Sequence, residues 1–374
     1  MSVLYKSNKP VHSQITTLLR KRADSGMWKA NEKIESEGQL AKEFNVSRST
    51  VKKALKQLEA EGLLASLQGK GRFLIEGAFA RQRKQTSVIG VGLFELGHLA
   101  HPVSSRHIAG IEDVLKTSNY HLKIFALNDE NAEIFPSESN ILGPFSDMVN
   151  ASGAIFIAPS RVDIRRLLEV GRHIPVVWLG HKMLNQRVKG LLMDPAGGMF
   201  SATKHLWDIG HRRIALVTAK ESVNWIGREH WDGVRLAFMG LLSSNNKGGY
   251  KVFQVDSWSK AEGRRAARLV LSDVLKPTAV ICGAPELTFG VFEEFHARRI
   301  SIPGDMSLVG MSDVYTLEQI PIAMTVIDMK EREVGTLACK RLLRMLAEPD
   351  VDFDAEEVCE AKLIVRESTA PPRK

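Results

Sequence analysis

The chain has 374 residues, 44% of them apolar, which is enough for two or three domains with ordinary cores. No apolar run approaches the ~20 residues of a membrane span, Met1–Lys6 lacks the apolar core of a secretory signal, and Cys282, Cys339 and Cys359 form no C-x-x-C pair. The expectation is a soluble cytoplasmic protein with reduced thiols, no disulfide scaffold and no cysteine-based zinc site. The net charge of +8 is concentrated: residues 1–85 hold 17 Lys+Arg against 8 Asp+Glu, a balance of +9, while the remainder holds 34 against 35. The first quarter is therefore the part suited to a polyanion.

In chain order, Pro10 opens a segment with Val11, Ile15, Leu18 and Leu19 at helical spacing, closed at Ser25-Gly26. Ser36-Glu37-Gly38-Gln39 has the form of a capping box, and Leu40, Ala41 and Phe44 follow on one face of a short second helix. After a turn at Asn45-Val46, Ser47 caps a third helix. Its Val51, Ala54, Leu55 and Leu58 point inward, with Ser49, Lys52, Lys53 and Lys56 outward. Past Gly62 the period shortens, and Leu63 to Ile75 reads as a hairpin with the basic tip Gln68-Gly69-Lys70-Gly71-Arg72. Helix-turn-helix followed by a wing is a DNA-reading geometry.

Over Pro10 to Ile75 these residues resemble the GntR family of winged-helix regulators. The third helix of that family carries Ser-Arg-x-Thr-Val-Arg and its wing Gln-Gly-x-Gly; here they read Ser47-Arg-Ser-Thr-Val-Lys52 and Gln68-Gly-Lys-Gly71. The resemblance implies DNA contacts from Ser36, Arg48, Ser49, Thr50, Lys52, Lys53, Lys56, Gln68, Gly69, Lys70, Gly71 and Arg72. Arg48 and Ser49 would reach base edges or flanking phosphates, and the lysines the groove and backbone. One departure stands out. Where the family has an Arg after Ser-Glu, this chain has Gly38, which removes a usual DNA contact and weakens a short helix.

Residues 78–86 read as a basic, apolar-poor hinge. From Ser87, short β-branched runs alternate with helical stretches: Val88 to Phe94, Leu122 to Leu127, Ala154 to Ala158, Pro175 to Leu179, Arg213 to Thr218, Lys251 to Val255, Thr278 to Cys282 and Ser307 to Gly310. Near-continuous apolar strands joined by helices make parallel sheets covered on both faces, and this number calls for two doubly wound sheets.

The segments Ile89-Gly-Val91, Gly210-His-Arg-Arg-Ile-Ala215, Arg228 with Gly233, and Pro303-Gly-Asp-Met-Ser-Leu-Val-Gly310 resemble the periplasmic-binding-protein-like effector domain of LacI/GalR regulators. The fold expected is thus an α+β winged helix-turn-helix domain (1–77) joined to a two-lobed α/β domain (87–374). The resemblance puts one lobe at about 87–193 and 325–346 and the other at about 194–322 and 358–368. It places His101, Ser160, Asp194, Trp225, Arg228, Trp231, Glu286, Ser312 and Asp313 at an interlobe cleft, with Arg228 making forked bonds to hydroxyls or a carboxylate. Asp194 reads equally as a helix cap, and either tryptophan as core. The family's Asp-Asp after the Val309-Gly310 strand is Ser312-Asp313 here, and its Asn-Asp before a small-residue helix reads Ala284-Pro285-Glu286, so no particular sugar is implied.

No H-E-x-x-H, G-x-S-x-G, Walker-type loop or G-x-G-x-x-G follows a strand, so neither an enzyme nor a bound cofactor or metal is expected. The expected function is a sequence-specific DNA-binding repressor. It would act as a homodimer on double-stranded operator DNA and respond to a small, carbohydrate-derived effector, with no membrane partner. A cytoplasmic solute-binding protein without a specific DNA site, or a regulator that has lost its effector response, are the alternatives.

Overall fold

The computed structural model describes residues 10–24, 27–28, 32–60, 62–67, 70–75, 87–93, 101–126, 145, 147–157, 164–180, 190–221, 226–242, 247–348 and 357–373. The N-terminal domain consists of α1 (Val11–Asp24), α2 (Glu37–Phe44), α3 (Arg48–Ala60), β1 (Leu64–Leu67) and β2 (Gly71–Leu74). Its helices turn Ile15, Leu19, Leu40, Phe44, Val51 and Leu55 into one core, closed from the wing by Leu64 and Leu74. The capping box forms in full: Ser36 Oγ accepts from the Gln39 N–H, and Gln39 Oε1 accepts from the Ser36 N–H at 2.9 Å. These two bonds start α2 despite Gly38, and Asn45 in the left-handed region ends it. β1 and β2 pair antiparallel from Leu64↔Leu74 to Leu67↔Gly71, and Lys33 bridges Phe73 as a third, minimal edge.

The remainder forms two six-stranded sheets. The first contains β3 (Val88–Leu93), β4 (His121–Ala126), β5 (Gly153–Ile157), β6 (Val176–Gly180), β7 (Gly190–Asp194) and β13 (Glu357–Glu360), all parallel, in the order β13-β7-β6-β5-β3-β4. It is covered by α4 (Pro102–Leu115), α5 (Ile164–His173) and α11 (Glu331–Ala347). The second contains β8 (Arg213–Ala219), β9 (Gly249–Val255), β10 (Ala279–Cys282), β11 (Ser307–Met311), β12 (Thr325–Asp328) and β14 (Lys362–Ile364), in the order β14-β12-β11-β10-β8-β9, with only β14 antiparallel. Its helices are α6 (Pro195–Asp208), α7 (Ile226–Leu241), α8 (Lys260–Ser272), α9 (Pro285–Ala297) and the short α10 (Tyr315–Glu318). The strands β5, β10 and β11 are buried at every position, as expected of strands covered on both faces.

Pairing corrects the lobe boundaries at two places. Thr325–Asp328, expected in the first lobe, lies in the second sheet against β11, and Val358–Glu360, expected in the second, pairs with β7 in the first. Among the described residues the chain thus crosses between sheets three times: at Asp194-Pro195, between Asp328 and Glu331, and at Ala361. After that last reversal the stretch Arg366–Pro372 pins the second sheet. Ser368 Oγ accepts from the Thr325 N–H (2.8 Å) and donates to Leu308 O (2.6 Å), and Ala370 O lies 2.9 Å from His211 Nε2. The Gly210-His211-Arg212 run is therefore structural here. Gly210 takes φ +109°, buried His211 also reaches Thr278 Oγ1 (2.8 Å), and Arg212 stacks on Trp207 at 4.1 Å.

Burial pushes the thiols of Cys282 and Cys339 up to about 12, so both are inert as nucleophiles at neutral pH. Among the described residues, no helix is long and apolar enough to cross a membrane, and no three His, Cys, Asp or Glu side chains are placed to hold a metal ion.

Candidate nucleic-acid interface and effector cleft

Because Val51, Ala54, Leu55 and Leu58 are taken by the core, the 3.6-residue period leaves Arg48, Ser49, Lys52, Lys53 and Lys56 on the opposite face of α3, all exposed. Ser47 Oγ accepts from the Thr50 N–H at 3.2 Å and lies 2.8 Å from the hydroxyls of both Ser49 and Thr50. The Ser49 and Thr50 hydroxyls are thus gathered at the helix N-terminus, where a backbone phosphate is favoured. Lys70 at the wing tip is also exposed. Arg48, Lys52, Lys53, Lys56 and Lys70 have no ion-pair partner among the described residues, so their charge is not cancelled by acids of the domain.

Two of the expected contacts behave differently. Ser36 is occupied as the cap of α2. Arg72 is half-buried, and its guanidinium donates to Glu37 (2.9 Å) and to Glu59. Burial works to lower its pKa, but the bonds to Glu59 and Glu37 hold it raised. Arg72 therefore fastens the wing to α2 and α3, where the sequence had offered it as a DNA contact. Gln68 and Gly69 lie outside the described residues.

In the larger domain the strand order reverses between β3 and β5 in the first sheet and between β8 and β10 in the second. Ligands of doubly wound folds sit at such switch points, outside the carboxyl ends of the strands. At the second, Thr218 Oγ1 lies 2.9 Å from Nδ1 of buried His230, and Trp258 meets that imidazole edge to face with ring centroids 6.0 Å apart. Gly283, at the end of β10, is glycine because a Cβ there would stand 2.5 Å from the His230 ring. Sequence reasoning passed over Thr218, His230 and Trp258. The three carry no shared spacing that could have signalled them: Thr218 ends a β-run, His230 lies 12 residues on in the next helix, and Trp258 follows β9.

The remaining candidates divide. His101 precedes α4, and its Nε2 lies 3.4 Å from Glu286 Oε1 in the first turn of α9, so these two join the lobes. Val103 adds an apolar contact to the second lobe's core. Ser312, buried with φ +64°, closes β11 beside the second crossover. Nearby Glu331 is fully buried, with Arg106 Nε at 3.6 Å, and burial raises its pKa against the pull of Ser312 and Arg106. Asp194 is a helix cap: its Oδ1 accepts from the Gly197 N–H at 2.8 Å. Asp313 is gripped by both terminal nitrogens of Arg366 at 2.8 Å, which lowers its pKa and withdraws it as a free ligand acid. Trp231 donates its indole N–H to Tyr250 (3.1 Å) and packs on the second lobe's core, away from the switch point. Arg228 is half-exposed, 3.1 Å from Asp232 and stacked 5.3 Å over Trp231. Ser160 and Trp225 lie outside the described residues.

Residues 12–74 match the model of bacterial regulatory proteins of the gntR family, and residues 203–369 match that of a periplasmic binding protein-like domain. The chain joins a GntR-type helix-turn-helix domain to a LacI-type domain. Curated relatives match over most of the chain. A repressor of arabinose metabolism from Geobacillus stearothermophilus is 28% identical over 92% of this chain and 93% of its own length. Catabolite control protein A of Priestia megaterium is 23% identical over 82% and 87%. For the LacI-type domain the fold is shared with a lac repressor dimer bound to operator and an anti-inducer, at TM-score 0.63 and 19% identity over 79% of this chain and 99% of that one. It is shared equally with a LacI-family regulator of Enterococcus faecalis with bound ribose, at TM-score 0.63 and 22% identity over 76% and 100%.

Proposed function

We propose that this protein is a sequence-specific DNA-binding transcriptional repressor whose operator affinity is set by a small carbohydrate bound between the two lobes. The observation that carries the reading is the exposed face of α3 and the wing, where Arg48, Lys52, Lys53, Lys56 and Lys70 stand without acidic partners among the described residues on a GntR-type scaffold. Unpaired cations at a recognition helix release counterions on meeting duplex phosphates, which supplies affinity, and base contacts then supply sequence. The curated relatives named above are a repressor and a control protein, which supports regulation over catalysis. The first-named relative's link to arabinose and the ribose-bound structure favour an aldopentose as effector.

A two-fold dimer, paired through α4 and α11 of the first lobe, would present two readers to a pseudo-palindromic operator. Selection of duplexes from a random library by the full chain, followed by affinity measurement at physiological salt, tests the reading. The selected duplex should bind ~10³-fold or more above a shuffled one, with affinity falling steeply as salt rises. Equal affinity for selected and shuffled duplexes contradicts it and favours a solute-binding protein.

A further inference from the structure

Between the N-terminus of α2, the N-terminus of α3 and the wing lies a notch lined by Lys33, Ser36, Gly38, Arg48, Lys70 and Gly71, among others. Its acids are already committed. Glu35 accepts from the Trp28 indole N–H at 2.8 Å and lies 3.8 Å from Arg22, and Glu37 is bound by Arg72. Its cations are not: the side chains of Lys33, Arg48 and Lys70 have no hydrogen-bond or ion-pair partner among the described residues.

Two glycines give the notch its shape. With no side chain at position 38, the Arg48 guanidinium lies against α2, its Nη2 3.4 Å from where a Cβ would stand. Gly71 has φ +107°, and a Cβ there would come within 2.8 Å of Lys33 Cε, so the lysine stem crosses directly over the wing backbone. The backbone of Lys33 is itself fixed, because the Ile34 N–H donates to Arg72 O (3.0 Å) and the Leu74 N–H to Glu32 O (3.1 Å). Lys33 is thus held as a minimal extra edge of the wing, its Nζ 3.5 Å from where a Gly71 Cβ would stand, and it lines the same notch as Lys70.

We propose that Lys33 is a DNA-contact residue: it and Lys70 clamp one backbone phosphodiester of the operator next to the base pair that Arg48 reaches. Two cations that line one notch whose acids are already paired are stabilised by an anion. A phosphodiester also fits the neighbouring base-reading helix, since backbone contacts fix the register in which bases are read. Lys33 lies outside both the third-helix and the wing motifs, which is why the sequence did not single it out.

The inference rests on the operator-reader reading, and the experiment separates the two. Affinities of the full chain and of its Lys33→Ala and Lys33→Arg variants are measured by fluorescence anisotropy on a selected and a shuffled duplex across a salt series. The selected duplex is also made with single methylphosphonates, which remove one phosphate charge at a time. Lys33→Ala should weaken both duplexes by a similar factor, about three- to tenfold, and lower the log–log salt slope by ~0.9. Lys33→Arg should restore the slope. One methylphosphonate position should weaken the wild type while leaving Lys33→Ala unaffected. Wild-type affinity and slope in Lys33→Ala, or a loss confined to the selected duplex, overturns the clamp while the reader stands. Failure of the wild type to prefer the selected duplex overturns both.

Discussion

Gly110→Ala is expected to lower the thermal unfolding midpoint of the full chain, although alanine is the better helix former by roughly 1 kcal/mol. Gly110 lies on α4 where that helix meets α11 backbone to backbone. A Cβ at Gly110 would stand 2.0 Å from Arg332 O and 2.9 Å from Thr336 N, and a Cβ at Gly335 would stand 2.1 Å from His107 O. The hydroxyl of Thr336 donates to Gly110 O at 3.1 Å across the same contact. Side chains cannot yield there, because the obstacles are carbonyl and amide groups fixed in helices, so the helices must separate. Overpacking of this kind costs ~1–3 kcal/mol or more. For domains of this size each kcal/mol is worth about 2–4 °C, so a fall of roughly 5–10 °C is expected by calorimetry, with a larger one for Gly110→Val. A rise in the midpoint would mean that the two helices do not approach as described. Since α4 and α11 also form the proposed pairing surface, sedimentation should show weaker dimerisation in the same variants.

Arg48→Ala is the substitution expected to damage DNA recognition most. Arg48 opens the recognition helix, is exposed, and is laid against the gap left by Gly38, so its forked guanidinium is presented with no ion-pair partner among the described residues. Loss of a bidentate base contact costs roughly 1–3 kcal/mol, which is about five- to 150-fold in affinity. The loss should fall on the selected duplex and spare the shuffled one, and a repeat of the selection should relax preference at one base pair. Equal losses on both duplexes would assign Arg48 to the backbone.

Helical periodicity and continuous apolar runs made the N-terminal domain and eight strands legible, because local spacing alone decides which face of a helix or strand is buried. Membership of a sheet is not local. Thr325–Asp328 and Glu357–Glu360 are four-residue strands beside crossovers, and nothing in their own composition says which of two similar sheets they join. The same limit applies to charge. Arg72 and Asp313 read as free site residues because their partners, Glu37 and Arg366, lie 35 and 53 positions away in the chain. Asp194 was ambiguous for the opposite reason, as its partner is only three residues off and a cap and a ligand acid look alike in sequence. The wall of the second switch point, Thr218, His230 and Trp258, was invisible because a threonine, a helical histidine and a loop tryptophan carry no shared spacing.

An effector-controlled repressor requires coupling between the cleft and the reader. The direct measurement is the affinity of the full chain for its selected duplex with and without L-arabinose, D-ribose and related aldopentoses, each at a concentration already shown to raise the unfolding midpoint. Coupling energies of this kind are typically 1–3 kcal/mol, so at least one sugar should change operator affinity by about five- to 150-fold. A sugar that binds and stabilises the protein yet leaves operator affinity unchanged would contradict an effector-controlled repressor.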